Sequence, residues 1–215
     1  MLSKLACAGA LIGLAVAAVL AANTPKFQLR GDRFKPLTYE EMTPAQRTLI
    51  DHLLSGPRGS VNGPFNVMLR SPELGDLQQA IGAYVRFKTS IPHKLNELAI
   101  LMIGRHWNAQ YEWYAHKRIA LEAGLSPAII ADIAAGKRPA KLQPDEEIIY
   151  NFTRELNETR EVSDATFKAA VEKFGERGVV DLVGTLGYYH LVSMLLNLDR
   201  YPLPDGAQPE LQALK

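Results

Sequence analysis

The chain has 215 residues, 47% of them hydrophobic and 22% charged, and its 24 basic and 23 acidic side chains leave a formal net charge of +1. That balance provides no basic stripe for nucleic acid and no acidic tail for a charged partner. Cys7 is the single cysteine, so no disulfide can form within the chain.

Residues 1–22 have the order of a secretory signal peptide. Lys4 supplies a positive start, Leu5 to Leu20 are free of charge, and the small residues Ala21 and Ala22 offer a cleavage site. A spanning helix needs ~20 apolar residues, slightly more than this stretch provides. The expected protein is therefore periplasmic or secreted, with no membrane partner after cleavage. Cleavage also removes Cys7. What remains, about 190 residues, fits one domain of ordinary size.

Residues 23–42 are polar, with Pro25 and Pro36 and no period, and read as an extended lead-in. The helical domain is expected over 43–201. Thr43-Pro44 gives an N-cap and a first-turn proline, and Leu49, Ile50, Leu53 and Leu54 form the stripe that follows. Gly56 to Pro64 is a loop. Ser71-Pro72 opens a second helix with the stripe Leu74, Leu77, Ile81, Tyr84 and Val85. Ser90 and Pro92 frame a third, carrying Leu95, Leu98, Ala99, Met102 and Ile103.

The pattern changes phase at Trp107-Asn108, and a helix from about Ala109 to Ala123 ends in a left-handed cap at Gly124. Ser126-Pro127, Pro144 and Ser163 open three more. Val179 to Leu198 is apolar on nearly all sides, which predicts a buried central helix whose Gly184 and Gly187 admit close neighbours. Residues 202–215 form a Pro-rich tail expected on the surface or on a neighbouring subunit. With no alternating β-branched run, these elements predict an all-α bundle of about seven helices.

Functional side chains are densest from His106 to His116, a stretch that holds both tryptophans. Glu112 and His116 lie four apart and share a helix face. A carboxylate beside an imidazole raises its pKa or fixes its tautomer, so His116 is a candidate for proton transfer. The same spacing also occurs in ordinary solvated pairs. Trp107, Asn108, Tyr111 and Trp113 are candidate walls of a substrate pocket. Arg86 is a candidate for a bidentate contact to a substrate carboxylate. Tyr188 and His190 sit together in the last helix, where His190 either faces the pocket or is a hydrogen-bonded core residue. His52 and His93 lie near helix surfaces and receive no role. No ligand motif such as H-E-x-x-H is present, so neither metal nor cofactor is expected.

Leu95-Asn96-Glu97-Leu98-Ala99-Ile100 and Asn108-Ala109-Gln110-Tyr111-Glu112-Trp113-Tyr114-Ala115-His116, followed by Ala120 and Gly124-Leu125, resemble the carboxymuconolactone decarboxylase family. That family includes the alkyl hydroperoxidase D-like proteins. The resemblance runs from Ser71-Pro72-Glu73-Leu74 to about Asn197 and includes Gly187-Tyr188-Tyr189. It implies an all-α, alkyl hydroperoxidase D-like fold, a homo-oligomer (a trimer or a ring of six) and a site built on Glu97 and His116.

The family's peroxidases resemble a pattern of Glu, eleven residues, Cys, two residues, Cys, three residues, His. Glu97 and His116 match it, but the two thiols fall on Ala109 and Glu112. A dithiol peroxidase needs a thiolate and a resolving partner, so that activity is not implied. The family's decarboxylases work without thiols. Their chemistry would make His116 the acid, oriented by Glu97 and Glu112, on a small carboxylated or lactone compound from aromatic catabolism. The export signal departs from that family's cytoplasmic members. Two functions are therefore expected in turn: an exported acid–base lyase or isomerase, or a non-catalytic exported binding protein that keeps the pocket. A buried acid–base pair in a concavity selects the first, and a solvated His116 the second.

Overall fold

A computed structural model describes residues 25–213; the signal-like segment over 1–22 lies outside the described residues. The described chain is all-helical, with no strand. In chain order the helices are α1 (Pro44–Ser55), α2 (Phe65–Met68), α3 (Pro72–Phe87), α4 (His93–His106), α5 (Gln110–Glu122), α6 (Pro127–Ala134), α7 (Pro144–Glu158) and α8 (Asp164–Asp199). Gly175 (φ 71°, ψ 170°) breaks α8 into two arms, which matches the separate helices expected from Ser163 and from Val179.

Helix α4 is the axis of the fold. Leu95, Leu98, Ala99, Ile100, Leu101 and Ile103 have no exposed surface, because α5, α6, α7 and α8 all pack against it. Its one buried amide is satisfied: Asn96 donates to the Val85 carbonyl (3.0 Å) and accepts from the Thr185 hydroxyl (3.0 Å). A second apolar cluster is built by α1, α2 and the lead-in around Leu49, Ile50, Leu53, Phe65 and Leu69, and Leu195 of α8 packs against it. Thr43 and Gln46 cap α1 reciprocally, each side chain accepting from the other's backbone N–H.

Two expectations need correction. The α3 stripe faces outward: Leu74, Leu77, Ile81 and Tyr84 are 52%, 66%, 51% and 38% exposed. The inward face is Gly75, Gly82 and Val85, because α3 lies too close to its neighbours for larger side chains. A Cβ on Gly75 would come within 2.7 Å of the Met68 carbonyl, and one on Gly82 would strike the Tyr188 phenol.

The last helix is not buried all round. Val180, Val183, Met194 and Leu198 are exposed, Gly187 faces open space, and Gly184 meets Val85 only at ordinary contact distance, 3.8 Å. The close approach between α3 and α8 is made by Gly82 of α3, against Tyr188.

The tail lies on the surface and is strapped there to its own chain. Leu211 is buried, Gln110 brackets its backbone from both sides, and Arg105 donates to the Gln212 carbonyl (2.7 Å).

The short helix α2 was not expected. Pro64 presets its first turn, and its four residues are all buried. The lead-in carries no helix, as expected, but it is anchored. Asp199, buried at the end of α8, accepts from the backbone N–H groups of Asp32 (3.3 Å), Arg33 (2.9 Å) and Phe34 (2.9 Å).

Candidate active site

Helices α4 and α5 are joined by a tight turn. Asn108 takes a left-handed conformation (φ 50°), and Ala109 N–H bonds back to the Gly104 carbonyl at 2.9 Å. That turn folds α5 onto α4 and makes the phase shift seen in the sequence. It also brings residues nineteen positions apart into contact: His116 Nδ1 lies 2.7 Å from Glu97 Oε2, and both side chains are buried. On the other ring nitrogen, Nε2 stands 3.1 Å from Glu112 Oε1. This second contact has ion-pair distance but lacks the alignment of a hydrogen bond, so Glu112 Oε1 stays buried without a donor. The ring of Tyr189 meets His116 edge-on at 5.0 Å. The other Glu97 oxygen lies 3.5 Å from His93 Nε2, so the histidine given no role in the sequence faces the same carboxylate from the exposed side.

Burial by itself would strip the proton from His116, but the two carboxylates outweigh it and raise its pKa to about 9. The ring is therefore an imidazolium at neutral pH. Its Nδ1–H is fixed by Glu97, and its Nε2–H is the proton free to move.

His116 and Glu112 form part of the wall of a cavity of about 270 Å³. Tyr111 comes from the same helix, Arg86 from α3, and Tyr188, Tyr189 and Val192 from α8. The loop before α2 closes the cavity with Arg58, Ser60 and Asn62. That loop is held by Gly63 N–H donating to the Tyr201 hydroxyl (3.1 Å) and by Arg58 stacking on Phe65 (4.9 Å to the ring centre). Burial pushes the Tyr188 and Tyr189 phenols above their usual range, so both remain O–H donors, and neither hydroxyl has a partner among the described residues.

Of the residues singled out in the sequence, His116, Glu97 and Glu112 converge as expected, and Tyr111, Arg86 and Tyr188 join them at the cavity. Four others lie elsewhere. Trp113 is buried and faces a larger groove of about 580 Å³ between α5, α6 and the tail. Trp107 and Asn108 form the α4–α5 turn and border a different surface depression. His190 is held away from the cavity: it accepts from Trp107 Nε1–H at Nδ1 (2.6 Å) and donates through Nε2–H to Asn157 Oδ1 (3.0 Å). Burial, with His106 nearby, lowers its pKa and keeps it neutral, as befits a core histidine.

Sequence reasoning missed Arg58 and passed over Tyr189 as a wall residue. Arg58 sits between Pro57 and Gly59 in an aperiodic loop, where no pattern marks it. Tyr189 had a signal, its place beside Tyr188 on the apolar last helix.

A buried imidazole held between two carboxylates at a cavity wall, on an α4-centred helical fold, is an arrangement able to transfer a proton. Neither a family model nor a curated protein sequence matches the chain. A solved structure does: an Agrobacterium tumefaciens protein of unknown function, described as a putative antioxidant defence protein AhpD. It superposes with a TM-score of 0.55 at 17% identity, covering 64% of this chain and 97% of that one. At that identity the likeness establishes the fold alone, and the fold is alkyl hydroperoxidase D-like.

Proposed function

We propose that the protein is a thiol-independent acid–base enzyme, a decarboxylase-like lyase or an isomerase, acting on a small carboxylated or lactone compound of the kind met in aromatic catabolism. One observation carries the reading. His116 is buried and charged, tied at Nδ1 to Glu97, set with Nε2 beside Glu112, and lines a cavity with that glutamate. Desolvating an imidazolium is costly, so a charged ring kept at a cavity wall supports a group that acts on a ligand rather than one that only packs.

In the lyase form the scissile C–C bond breaks, its electron pair enters the conjugated carbonyl, and carbon dioxide leaves. His116 then gives its Nε2 proton to the resulting dienolate. In the isomerase form a proton leaves one carbon and is returned to another. Both routes pass through an oxyanion that the unpartnered Tyr188 and Tyr189 hydroxyls are placed to stabilise. Thiol-based peroxide reduction is not part of the proposal, since Ala109 and Glu112 stand where that chemistry needs thiols.

The signal-like segment supports a periplasmic or secreted location, and the exposed apolar faces of α3 and α8 support a homo-oligomer, a trimer or a hexamer.

The test is turnover of a panel of aromatic-catabolism acids and lactones with product detection. His116→Asn, which keeps a hydrogen-bonding side chain but carries no transferable proton, should lose ~100- to 10,000-fold. Activity within a few-fold of the parent, in a variant with an unchanged circular dichroism spectrum, would overturn the reading. Glu112→Gln should cost less if Glu112 only tunes the ring, and more if it is the base.

A further inference from the structure

Proton transfer uses the α5 side of the cavity. The facing side, from the loop before α2 and from α3, carries positive charge that this chemistry does not use. Arg58 and Arg86 both line the cavity. Among the described residues neither guanidinium has a hydrogen-bonded or ion-paired partner. Each only lies over a phenyl ring, Arg58 over Phe65 at 4.9 Å and Arg86 over Phe87 at 5.1 Å. Arg118, at the same cavity, differs, being bonded to Glu122 at 2.9 Å. The Tyr188 hydroxyl, buried and unpartnered, belongs to the same cavity wall. Glu112 Oε1 on the opposite side also lacks a donor, but neither arginine is paired with it, so the two guanidiniums and the phenol stand as unsatisfied donors on this side of the cavity. A carboxylate is the acceptor whose geometry suits paired guanidinium N–H groups.

The charges also limit the ligand. Glu97 and Glu112 set two negative charges against the three positive charges of protonated His116, Arg58 and Arg86. One positive charge is left over.

We propose that this wall is an anion subsite, and that the cavity takes a small unsaturated or lactone monocarboxylate. Its carboxylate sits between Arg58 and Arg86, and its reactive carbon points at His116 Nε2. A second ligand carboxylate would bring uncompensated negative charge beside Glu112. A carboxylate gripped by two guanidiniums is stabilised in the ground state, so it is retained through the reaction rather than lost as carbon dioxide. The assignment rests on the acid–base reading above and narrows it toward proton transfer without carbon loss.

Calorimetric titration of the purified protein with benzoate, with neutral benzamide and with the dianion terephthalate tests the subsite without needing turnover. Benzoate should bind saturably at millimolar concentration or below, benzamide roughly 10-fold or more weaker, and terephthalate no tighter than benzoate. Arg58→Gln and Arg86→Gln should each weaken benzoate roughly 10- to 100-fold, as expected for a lost charged hydrogen bond, and Arg58→Lys should lose less. The subsite is overturned if benzoate shows no saturable binding, if benzamide matches it, or if folded arginine variants keep the parent affinity. Benzoate affinity should also fall between about pH 8 and 10, as His116 loses its charge. A flat profile, with binding still dependent on both arginines, sinks the charged-imidazole reading and leaves the subsite standing.

Discussion

At the scale of single residues, the site depends on two carboxylates holding one imidazole charged inside the protein. Removing Glu97 leaves the imidazolium paired with Glu112 alone and takes away its aligned charged hydrogen bond, a loss of ~1.5–3 kcal/mol. Glu97→Leu is expected to destabilise the fold by that order, measured by urea unfolding. The His116 ring should titrate by NMR near pH 9 rather than near 6.5. Folding favours its charged form, so its contribution to stability is complete below 6.5 and disappears as the pH rises through about 9. A parent ring that titrates near 6.5 contradicts the geometry described above. Glu112 and His116 were legible from their spacing, one helical turn apart, whereas Glu97 was legible only through the family resemblance, because the turn at Asn108 that brings it in leaves no mark of its partner in the sequence. The cavity's cationic side was not, because Arg58 reaches it from a loop whose position depends on Phe65 packing and on the Tyr201 hydroxyl.

Among the elements, helix boundaries were legible where a proline or cap residue precedes a long apolar stripe, as at Thr43-Pro44, Ser126-Pro127 and Ser163, and not at the four-residue α2 behind Pro64. Helix orientation was not. Periodicity gives the width of an apolar stripe and not what covers it, and on α3 the packed face is the glycine face. The same limit applied to α8, whose all-round hydrophobicity suggested burial while one side stays exposed. Asp199 is the least predictable element contact, since it joins the end of α8 to a lead-in more than 160 positions earlier in the chain. Asp199→Asn should lower stability by ~1.5–3 kcal/mol, the usual worth of hydrogen bonds to a charged group. It should also make the chain between Pro25 and Tyr39 more sensitive to limited proteolysis. An unchanged melting temperature and cleavage pattern would show that the anchor contributes nothing.

For the whole molecule, α3 and α8, which pack against each other, both expose large apolar side chains, Leu74, Leu77 and Ile81 on one and Val180, Val183, Met194 and Leu198 on the other. Large exposed apolar patches mark interaction sites. A light-scattering mass of three or six chains is expected, and Leu77→Glu with Val180→Asp should reduce it. A monomeric parent would remove the oligomer from the proposal. The cavity has a different relation to the molecule. It lies at the seam between the α1–α2 cluster and the α4 core, with Arg58 contributed by one side and His116 by the other. A small molecule lodged there acts as mortar between two blocks, and its affinity is added to the cohesion of the chain. At a hundred times its dissociation constant it would supply ~2.7 kcal/mol, or roughly 5–10 °C of melting temperature for a domain of this size. The natural ligand can therefore be sought by heat alone, by melting the protein in the presence of many candidate acids before any reaction is known.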